Sequence, residues 1–440
     1  MASRREFIQK SALGAAGLTL GAKSYSRILG ANDRVRVGIV GFSDRFRSSL
    51  APAFLGLAKE FNFEIVAVSD LWNRRRDEAE IFFKGNGVTI RKARNNDELY
   101  SGKDTDAVII STADFQHALL LAEAVRAGQD AYCEKPFAET MADAREALKA
   151  VQETKKIVQI GSQRRSTPNY IAANEYIRSG KFGKIVMVEM SWNVNQPGRW
   201  RRPELTGVIK ESDTDWKRFL LNRPAQAWDP RKYLEFRLFW PFSSGIPGQW
   251  MAHQIDTVHW FTGLSHPKSV AANGGIYQWK DGRTNFDTMT AVMDYGDANS
   301  GFQVVYTSRF TNSAGGTKEI YFSNGGTLNL DTNKITSEGG LQAREAKAMN
   351  LPANLLEPMD LPGLKIDTAA NTGSDPMTNA HMKNWMECVR DRKKPNADIM
   401  AGYNHSIANI MCTAALRTGE KASFDEAKQE VLAGGKVFQY

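Results

Sequence analysis

Two short segments of this 440-residue chain carry side chains that can bind or move protons. The first is Cys133-Glu134-Lys135-Pro136, which directly follows a short apolar run that we predict to be a strand. A Lys just past the carboxyl end of a parallel strand lies where open α/β sheets bind their ligands, and the next Pro fixes the backbone. We interpret Lys135 as a catalytic amine. The alternative is a solvated Lys at an ordinary strand exit.

The second segment runs from Gly248 to Trp260 and contains two His and one Asp. His253 and Asp256 are three residues apart and therefore share one face of a helix. An imidazole has an ordinary pKa close to neutrality, so His253 is a candidate general base. Asp256 is a candidate to orient His253 or to bind a substrate hydroxyl. His259 would extend the pair to a metal-like set, but no further ligand is evident and we predict no metal site.

The strands and helices that must position these side chains occur in two different patterns along the chain. Up to residue 160, apolar strands alternate with helices of about ten to fifteen residues, which is typical of a doubly wound parallel α/β sheet with right-handed crossovers. Beyond it, longer strands and fewer helices predict an α+β domain with a large, mostly antiparallel sheet. We therefore divide the chain into a leader (1–31), a dinucleotide-binding domain (32–160) and a substrate-binding and oligomerisation domain (161–440). The stretch 343–376 shows little periodicity, and we predict a surface excursion there.

The turn after the first strand departs from the usual dinucleotide fingerprint. The run Gly41-Phe42-Ser43-Asp44-Arg45-Phe46 has the first Gly of G-x-G-x-x-G, but Ser43 and Phe46 replace the other two. Asp70, at the end of the second strand, is placed to accept ribose hydroxyls and repel a 2′-phosphate, which favours NAD over NADP. The arginines at 74–76 keep NADP possible, and a helix N-cap is the alternative role for Asp70.

Composition excludes several function classes. The net charge of +8 is modest for this length, and the basic residues are scattered, so we do not predict nucleic-acid binding. Two short basic clusters, 74–76 and 199–202, each lie near a possible anion site. Three Cys are too few for a disulfide framework, and no apolar run approaches the roughly 18 residues of a membrane span.

The N-terminus has the pattern of a twin-arginine export signal. Ser3-Arg4-Arg5-Glu6-Phe7-Ile8 precedes a short stretch rich in Ala, Gly and Leu, and small residues follow near Gly30. The alternative is a basic arm that packs on a neighbouring subunit. The signal predicts a periplasmic or otherwise exported protein that folds before export, which suits a protein that must hold its cofactor tightly.

Together the motifs resemble the Gfo/Idh/MocA family, the group of glucose-fructose oxidoreductase and inositol dehydrogenase. The resemblance rests on the glycine turn, Asp70, Ser111 to Asp114 with His117, Glu134-Lys135-Pro136, Gln163-Arg164-Arg165 and His253 to Asp256. It implies that Lys135 lies beside the nicotinamide and that His253 is the general acid/base. It also implies a site whose further members are these: for the cofactor Gly41, Phe42, Ser43, Asp70, Thr112, His117, Glu134, Gln163 and Arg165; for the substrate Arg165, Trp192, Asn193, Arg237, Trp240 and Gln249. The triplet Gln163 to Arg165 would sit at the mouth of the cleft.

The expected function is hydride transfer between a firmly bound NAD, with NADP possible, and a sugar or sugar derivative. Two alternatives stay open: an NAD-dependent glycoside hydrolase on the same scaffold, and a non-catalytic binding protein. The binding protein is favoured by Ser43 and by Gln249. Many family members carry an Asp four residues before the catalytic His, and the Gln found there cannot take a proton. A broad sheet needs its outer face covered, so we expect a homodimer or homotetramer.

Overall fold

The structure is a computed structural model that describes residues 33–297, 299–352, 354–363 and 375–439. The predicted leader and part of the predicted surface excursion lie outside the described residues. Among the residues described, no helix combines the length and apolar character needed to cross a membrane.

The first sheet contains six parallel strands in the described part of the chain. They are β1 Val35–Val40, β2 Phe63–Ser69, β3 Arg91–Ala93, β4 Ala107–Ile110, β5 Asp130–Cys133 and β6 Val158–Ile160. Their order is β3-β2-β1-β4-β5-β6, and every neighbouring pair is parallel. The order reverses between β1 and β4, so a crevice opens beyond the carboxyl ends of these two strands.

Helices connect the strands of this sheet and continue beyond it. They are α1 Ala51–Phe61, α2 Asn73–Gly85, α3 Asn96–Ser101, α4 His117–Arg126, α5 Met141–Thr154 and α6 Pro168–Arg178. A π-helical turn, Phe46–Leu50, leads into α1. A 3-10 turn, Gln163–Ser166, follows β6 and begins the crossing to the second domain.

The second sheet is mostly antiparallel and has eleven strands in the described ranges. They are β7 Ile185–Asn193, β8 Ser269–Gly275, β9 Thr288–Tyr295, β10 Phe302–Arg309, β11 Thr317–Ser323, β12 Gly326–Asn329, β13 Lys334–Thr336, β14 Met359–Asp360, β15 Ala422–Asp425, β16 Glu430–Ala433 and β17 Lys436–Val437. Only β7 and β10 pair in parallel within the described sheet. The predicted fold class is therefore confirmed.

Between and after these strands lie the helices of the second domain. They are α7 Pro203–Thr206, α8 Trp216–Leu220, α9 Pro230–Leu234, α10 Ala252–Thr262, α11 Ala343–Ala348, α12 Pro376–Asp391 and α13 Ile399–Thr418. A π-helical turn, Pro247–Met251, leads into α10. The short helices α7 to α9 belong to the long connection between β7 and α10.

Helix α12 returns to the first domain and completes its core. Trp385 is fully buried, with its ring 5.9 Å from that of Phe63 and 6.0 Å from that of Tyr132. Val37 and Ile39 of β1 belong to the same apolar cluster. The first sheet is thus held on one face by residues more than 200 positions later in the chain.

Candidate active site

A cleft opens at the carboxyl ends of β1 and β4, with about 1080 Å³ of empty space counted out to open solvent. Of the predicted site residues, Gly41, Phe42, Ser43, Asp70, Thr112 and Arg237 line it. The other predicted residues are not among those that line it. The cleft is also lined by Leu205, Tyr233 and Leu234, so the connection between β7 and α10 covers it from the second domain.

The turn at Gly41 requires glycine on two counts. Its φ is +86°, and a Cβ there would lie 2.7 Å from Thr112 Cγ2. The backbone of β1 thereby comes close to that of β4, where Thr112 Oγ1 is buried and has no hydrogen-bond partner among the described residues. An unpaired hydroxyl and a narrow glycine turn in one cleft fit a polar ligand such as a dinucleotide.

Ser43 and Phe46 replace the fingerprint glycines with contacts of their own. Ser43 Oγ donates to Ser111 Oγ (3.2 Å) and accepts the backbone N–H of Phe46 (3.2 Å). Phe46 is fully buried, with its ring 5.8 Å from that of Phe42. The π-helical turn starts at Phe46, and a wider turn gives this large ring room between helix and sheet.

Asp70 joins the ends of β1 and β2 through its carboxylate. It accepts the backbone N–H of Phe42 (2.9 Å) and of Trp72 (2.9 Å). Burial raises the pKa of Asp70, and the two amide hydrogen bonds act against this rise. Each carboxylate oxygen has a second lone pair, so Asp70 can still accept from a ribose hydroxyl in the cleft.

The three arginines after Asp70 are all engaged by the protein. Arg74 pairs with Glu78, Arg75 pairs with Glu78 and Asp44, and Arg76 donates to the backbone carbonyl of Asp70 (2.7 Å). A 2′-phosphate would have to compete with these contacts.

The Glu134-Lys135-Pro136 segment is held from several sides. Glu134 is buried and pairs with Arg45 (3.0 Å). The Lys135–Pro136 peptide is cis, and the carbonyl of Pro136 lies 2.8 Å from Nδ1 of the buried His117. His117 therefore supports the Glu134-Lys135-Pro136 segment rather than lining the cleft.

The Lys135 ammonium donates to the backbone carbonyl of Gln249 (2.6 Å). Burial lowers the pKa of Lys135 from 10.5 to about 7, although Glu134 and Asp114 oppose the fall. Lys135 is therefore poised to exchange a proton near neutral pH, as a base or an acid should be. Its hydrogen bond crosses from the first domain to the turn that precedes α10.

The side chain of Gln249 bridges Asp114 and Arg237. Its amide donates to Asp114 Oδ2 (2.5 Å), and its Oε1 accepts from Arg237 Nε (2.9 Å). Asp114 is fully buried and also accepts from Ser243 (2.6 Å). The family resemblance implies a carboxylate at position 249. In this chain Asp114, which follows the end of β4, supplies a carboxylate next to that position.

His253 lies in the first turn of α10, with its ring 5.8 Å from that of Trp192. Burial lowers the pKa of His253 well below its ordinary value, and the charges of Lys135 and Arg164 lower it further. The imidazole is therefore neutral at pH 7 and able to accept a proton.

Asp256 is directed away from His253. Both of its oxygens accept from Arg165, at 2.8 and 2.9 Å, and His405 lies 3.9 Å away. The charge of Arg165 and hydrogen bonds from Arg165 and His405 hold its pKa well below the usual range despite burial, which acts the other way. This geometry assigns Asp256 and Arg165 to a buried ion pair beneath the site.

The other predicted residues divide between the site and its support. Trp192 stacks on Trp250, with their ring centroids 5.8 Å apart and an angle of 8° between the ring planes. Asn193 donates to the carbonyl of Ala314 (3.4 Å). Trp240 packs against Phe438, near the end of the second sheet. Three further contacts are structural: Gln163 donates to Glu134 (3.5 Å), the buried Arg164 pairs with Glu319, and His259 bonds to Tyr295 (2.9 Å). Arg164 is only 3% exposed, so it does not reach the mouth of the cleft.

Comparison with known proteins relates the first domain to a family of oxidoreductases. Residues 35–162 match the model of the Gfo/Idh/MocA oxidoreductase family, NAD-binding Rossmann fold. This match covers the first domain. An inositol 2-dehydrogenase of Salmonella paratyphi B is 30% identical over 190 residues, 43% of this chain and 53% of the relative. The chain thus matches about half the length of that curated relative.

Solved structures with the same two-domain fold cover most of the chain. An oxidoreductase of Thermotoga maritima has a TM-score of 0.63 at 18% identity, over 89% of this chain and 98% of that one. A levoglucosan dehydrogenase, solved with NADH and levoglucosan, has a TM-score of 0.63 at 14% identity over 89% and 99%. At these identities the likeness concerns the fold.

Residues of the connection between β7 and α10 were not predicted from the sequence. Arg202 pairs with Asp44 at the cleft (3.1 Å), and Tyr233 lines it. Asp114 was named only as part of a motif, yet it is the acid nearest Gln249. The basic cluster at 199–202 was the one signal in the sequence for this connection.

Proposed function

We propose that this protein is an exported oxidoreductase that transfers a hydride between tightly held NAD and a hydroxyl-bearing carbon of a sugar or sugar derivative. The observation that carries the proposal is that Lys135 reaches the turn before α10, where its amine binds the carbonyl of Gln249, four residues before His253. Both groups are desolvated, and the charge of Lys135 lowers the pKa of His253. A bound NAD would supply the hydride acceptor at its nicotinamide ring.

The protein's own part is to handle the proton of the reacting hydroxyl. Lys135 has a pKa of about 7 and a fixed acceptor in the Gln249 carbonyl, so its amine is aimed when it binds the developing alkoxide. His253 is neutral and makes no hydrogen bond among the described residues, so it can take the proton as a general base. Trp192, whose ring lies 5.8 Å from that of His253 and is 8% exposed, is the aromatic side chain placed to contact the edge of a sugar ring.

NAD, rather than NADP, is supported by the engagement of the arginines at 74–76 and by Asp70. Firm binding is supported by the cover over the cleft: Arg202 holds Asp44 through two nitrogens, and Arg218 pairs with Asp97 (2.7 Å). A cofactor beneath such a cover leaves slowly, because several contacts must open first.

The decisive experiment is to denature the purified protein and identify any released dinucleotide by mass spectrometry. We expect NAD in near-stoichiometric amount. Protein that releases none and also fails to bind added NAD or NADP in a fluorescence titration would refute the proposal. Lys135→Ala should then keep the cofactor and lose turnover.

Export is the second part of the proposal and is supported by the twin-arginine pattern at Arg4 and Arg5. Cell fractionation should place the full chain outside the cytoplasm with NAD bound, and a double Lys variant at these positions should stay inside. Equal distribution of the two would refute export by this route. A homodimer or homotetramer, which would cover the outer face of the second sheet, is tested by light scattering.

A further inference from the structure

Arg199, in the connection between β7 and α10, is an arginine with no acidic partner among the described residues. Its guanidinium lies over the ring of Trp250, 5.2 Å from the centroid, and donates to the side chain of Gln196. Its Nε is buried and has no hydrogen-bond partner in the described part of the chain. Burial lowers the pKa of Arg199 to about 10, and the charges of Arg237 and Arg202 add to the effect.

The other arginines of this connection show how unusual this is. Arg201 pairs with Glu235 (3.3 Å) and Asp281 (2.9 Å), and Arg202 pairs with Asp44 (3.1 Å). A partly desolvated cation without an anion costs stability, and its usual compensation is a paired carboxylate or phosphate. Arg199 is therefore left for a partner that does not belong to the fold.

The position of Arg199 puts that partner at the substrate side of the site. Trp250, on which it lies, directly follows Gln249, whose carbonyl holds the Lys135 amine (2.6 Å). Trp250 in turn stacks on Trp192, whose ring is 5.8 Å from that of His253. The stacked rings of Trp250 and Trp192 thus lie between Arg199 and His253.

The charge balance nearby points the same way. Arg237 lies close enough for its charge to lower the pKa of Arg199, but Arg237 has its own acidic partner. That partner is Asp114, which pairs with Arg237 (3.6 Å) and accepts from Ser243 and Gln249, so it is not available to Arg199. Glu139 is buried, and burial raises its pKa to about 8, so it is mostly protonated at neutral pH. An uncharged sugar would leave the charge of Arg199 unbalanced.

We propose that the substrate is an anionic sugar whose carboxylate or phosphate binds Arg199, beside the stacked pair of Trp250 and Trp192. This inference rests on the proposed function and specifies its substrate class. The planar guanidinium has an Nε–H and further N–H donors that a carboxylate or phosphate oxygen can accept.

The test compares sugars that differ only in charge, with NAD-loaded protein and NADH formation as the readout. The pairs are D-glucuronate against D-glucose and D-galacturonate against D-galactose, with glucose 6-phosphate and galactose 6-phosphate as a separate arm. We expect a kcat/KM at least tenfold higher for an anionic member than for its neutral counterpart. Preference for uronates identifies a carboxylate, and preference for the phosphates identifies a phosphate.

Variants at position 199 connect the preference to the residue. Arg199→Gln should raise KM for the anionic sugar about tenfold more than for the neutral one, and Arg199→Lys, which keeps the charge, should lose less. Arg126→Gln, which removes an exposed arginine of α4 paired with Glu146, is the matched control and should change neither. Arg199→Lys also serves as the test if the Gln variant does not fold.

Binding decides the case in which no sugar of the panel is turned over. Anionic members should then raise the melting temperature of the NAD-loaded protein more than neutral ones, and Arg199→Gln should remove the difference. Equal shifts, equal turnover of neutral sugars, or an unchanged preference in the variants would overturn the inference and leave the oxidoreductase proposal standing. A protein that binds no dinucleotide would instead overturn the proposed function.

Discussion

Replacing Lys135 by Met should make the protein inactive and more stable at once. The amine is removed, so the proton of the reacting hydroxyl loses its partner. Burial of a charged ammonium is removed as well, and this burial is what lowers the pKa of Lys135 to about 7. The same property that prepares the residue for catalysis therefore makes it costly to the fold.

The size of the gain follows from the two pKa values. A fall from 10.5 to about 7 corresponds to about 5 kcal/mol of lost stability in the protonated state. Met leaves the Gln249 carbonyl without its donor, which costs about 1–3 kcal/mol. We therefore expect a net gain of about 2–4 kcal/mol at or below pH 7.

The gain should depend on pH in a defined direction. The unfolded chain holds the proton up to about pH 10.5, whereas the folded protein releases it above about pH 7, so unfolding takes up a proton in between. The penalty carried by the wild type is thus complete below pH 7 and fades as the pH rises towards 10.5. The advantage of the variant should therefore shrink over this window and reverse before pH 10.5, where only the lost hydrogen bond remains.

Urea denaturation of the cofactor-free proteins at pH 6.5, 8 and 9.5 measures this difference. Lys149→Met, at a site 67% exposed on α5, is the control and should change stability by less than about 0.5 kcal/mol at every pH. A stability gain of Lys135→Met that does not shrink with rising pH, or a loss at pH 6.5, would refute the reasoning.

Three further predictions concern neighbouring residues. His253→Gln should lower kcat at least about a hundredfold with NAD affinity unchanged, because a general base contributes that much; a loss below tenfold would remove it from this role. Gln249→Glu should cost about 2 kcal/mol at pH 8 and less at pH 5, as measured in urea, because a second carboxylate would face Asp114 and is relieved only when one is protonated; equal loss at both pH values contradicts this. Gly41→Ala should weaken NAD binding at least tenfold in a fluorescence titration, and adding Thr112→Ser should recover part of it, because that change removes the methyl that the new Cβ meets.

Much of the fold followed from local patterns. The apolar runs of β5, β9 and β10 end at clear turn residues and mark these strands in the sequence. No such run marks the strand β3 or the helix α3, since they are short and half-polar. The same holds for β15 to β17, and no local pattern shows that α12 returns to the first sheet.

The site was predictable where a residue type and its place in the topology suffice. Gly41, Asp70 and Lys135 follow strand ends, and their neighbourhood follows from the strand order. Asp256 could not be placed in this way, because its face of α10 contacts both the site and Arg165, and only tertiary packing decides which it meets. Arg199 was hidden for a similar reason, since its lack of a partner is a property of the whole fold.

Gln249 stands where the family resemblance implies an Asp. This is the strongest argument in the sequence for lost activity, and the geometry weakens it. The acceptor that holds the Lys135 amine is the main-chain carbonyl of Gln249, which any residue at that position provides. The side chain instead bridges Asp114 and Arg237, and an Asp there would bring a second carboxylate up to a buried one. Where Asp114 already supplies the negative charge, an amide is the side chain that satisfies both neighbours. Gln249 is therefore compatible with a working Lys135 and His253 pair, in which the carboxylate has moved to the other domain.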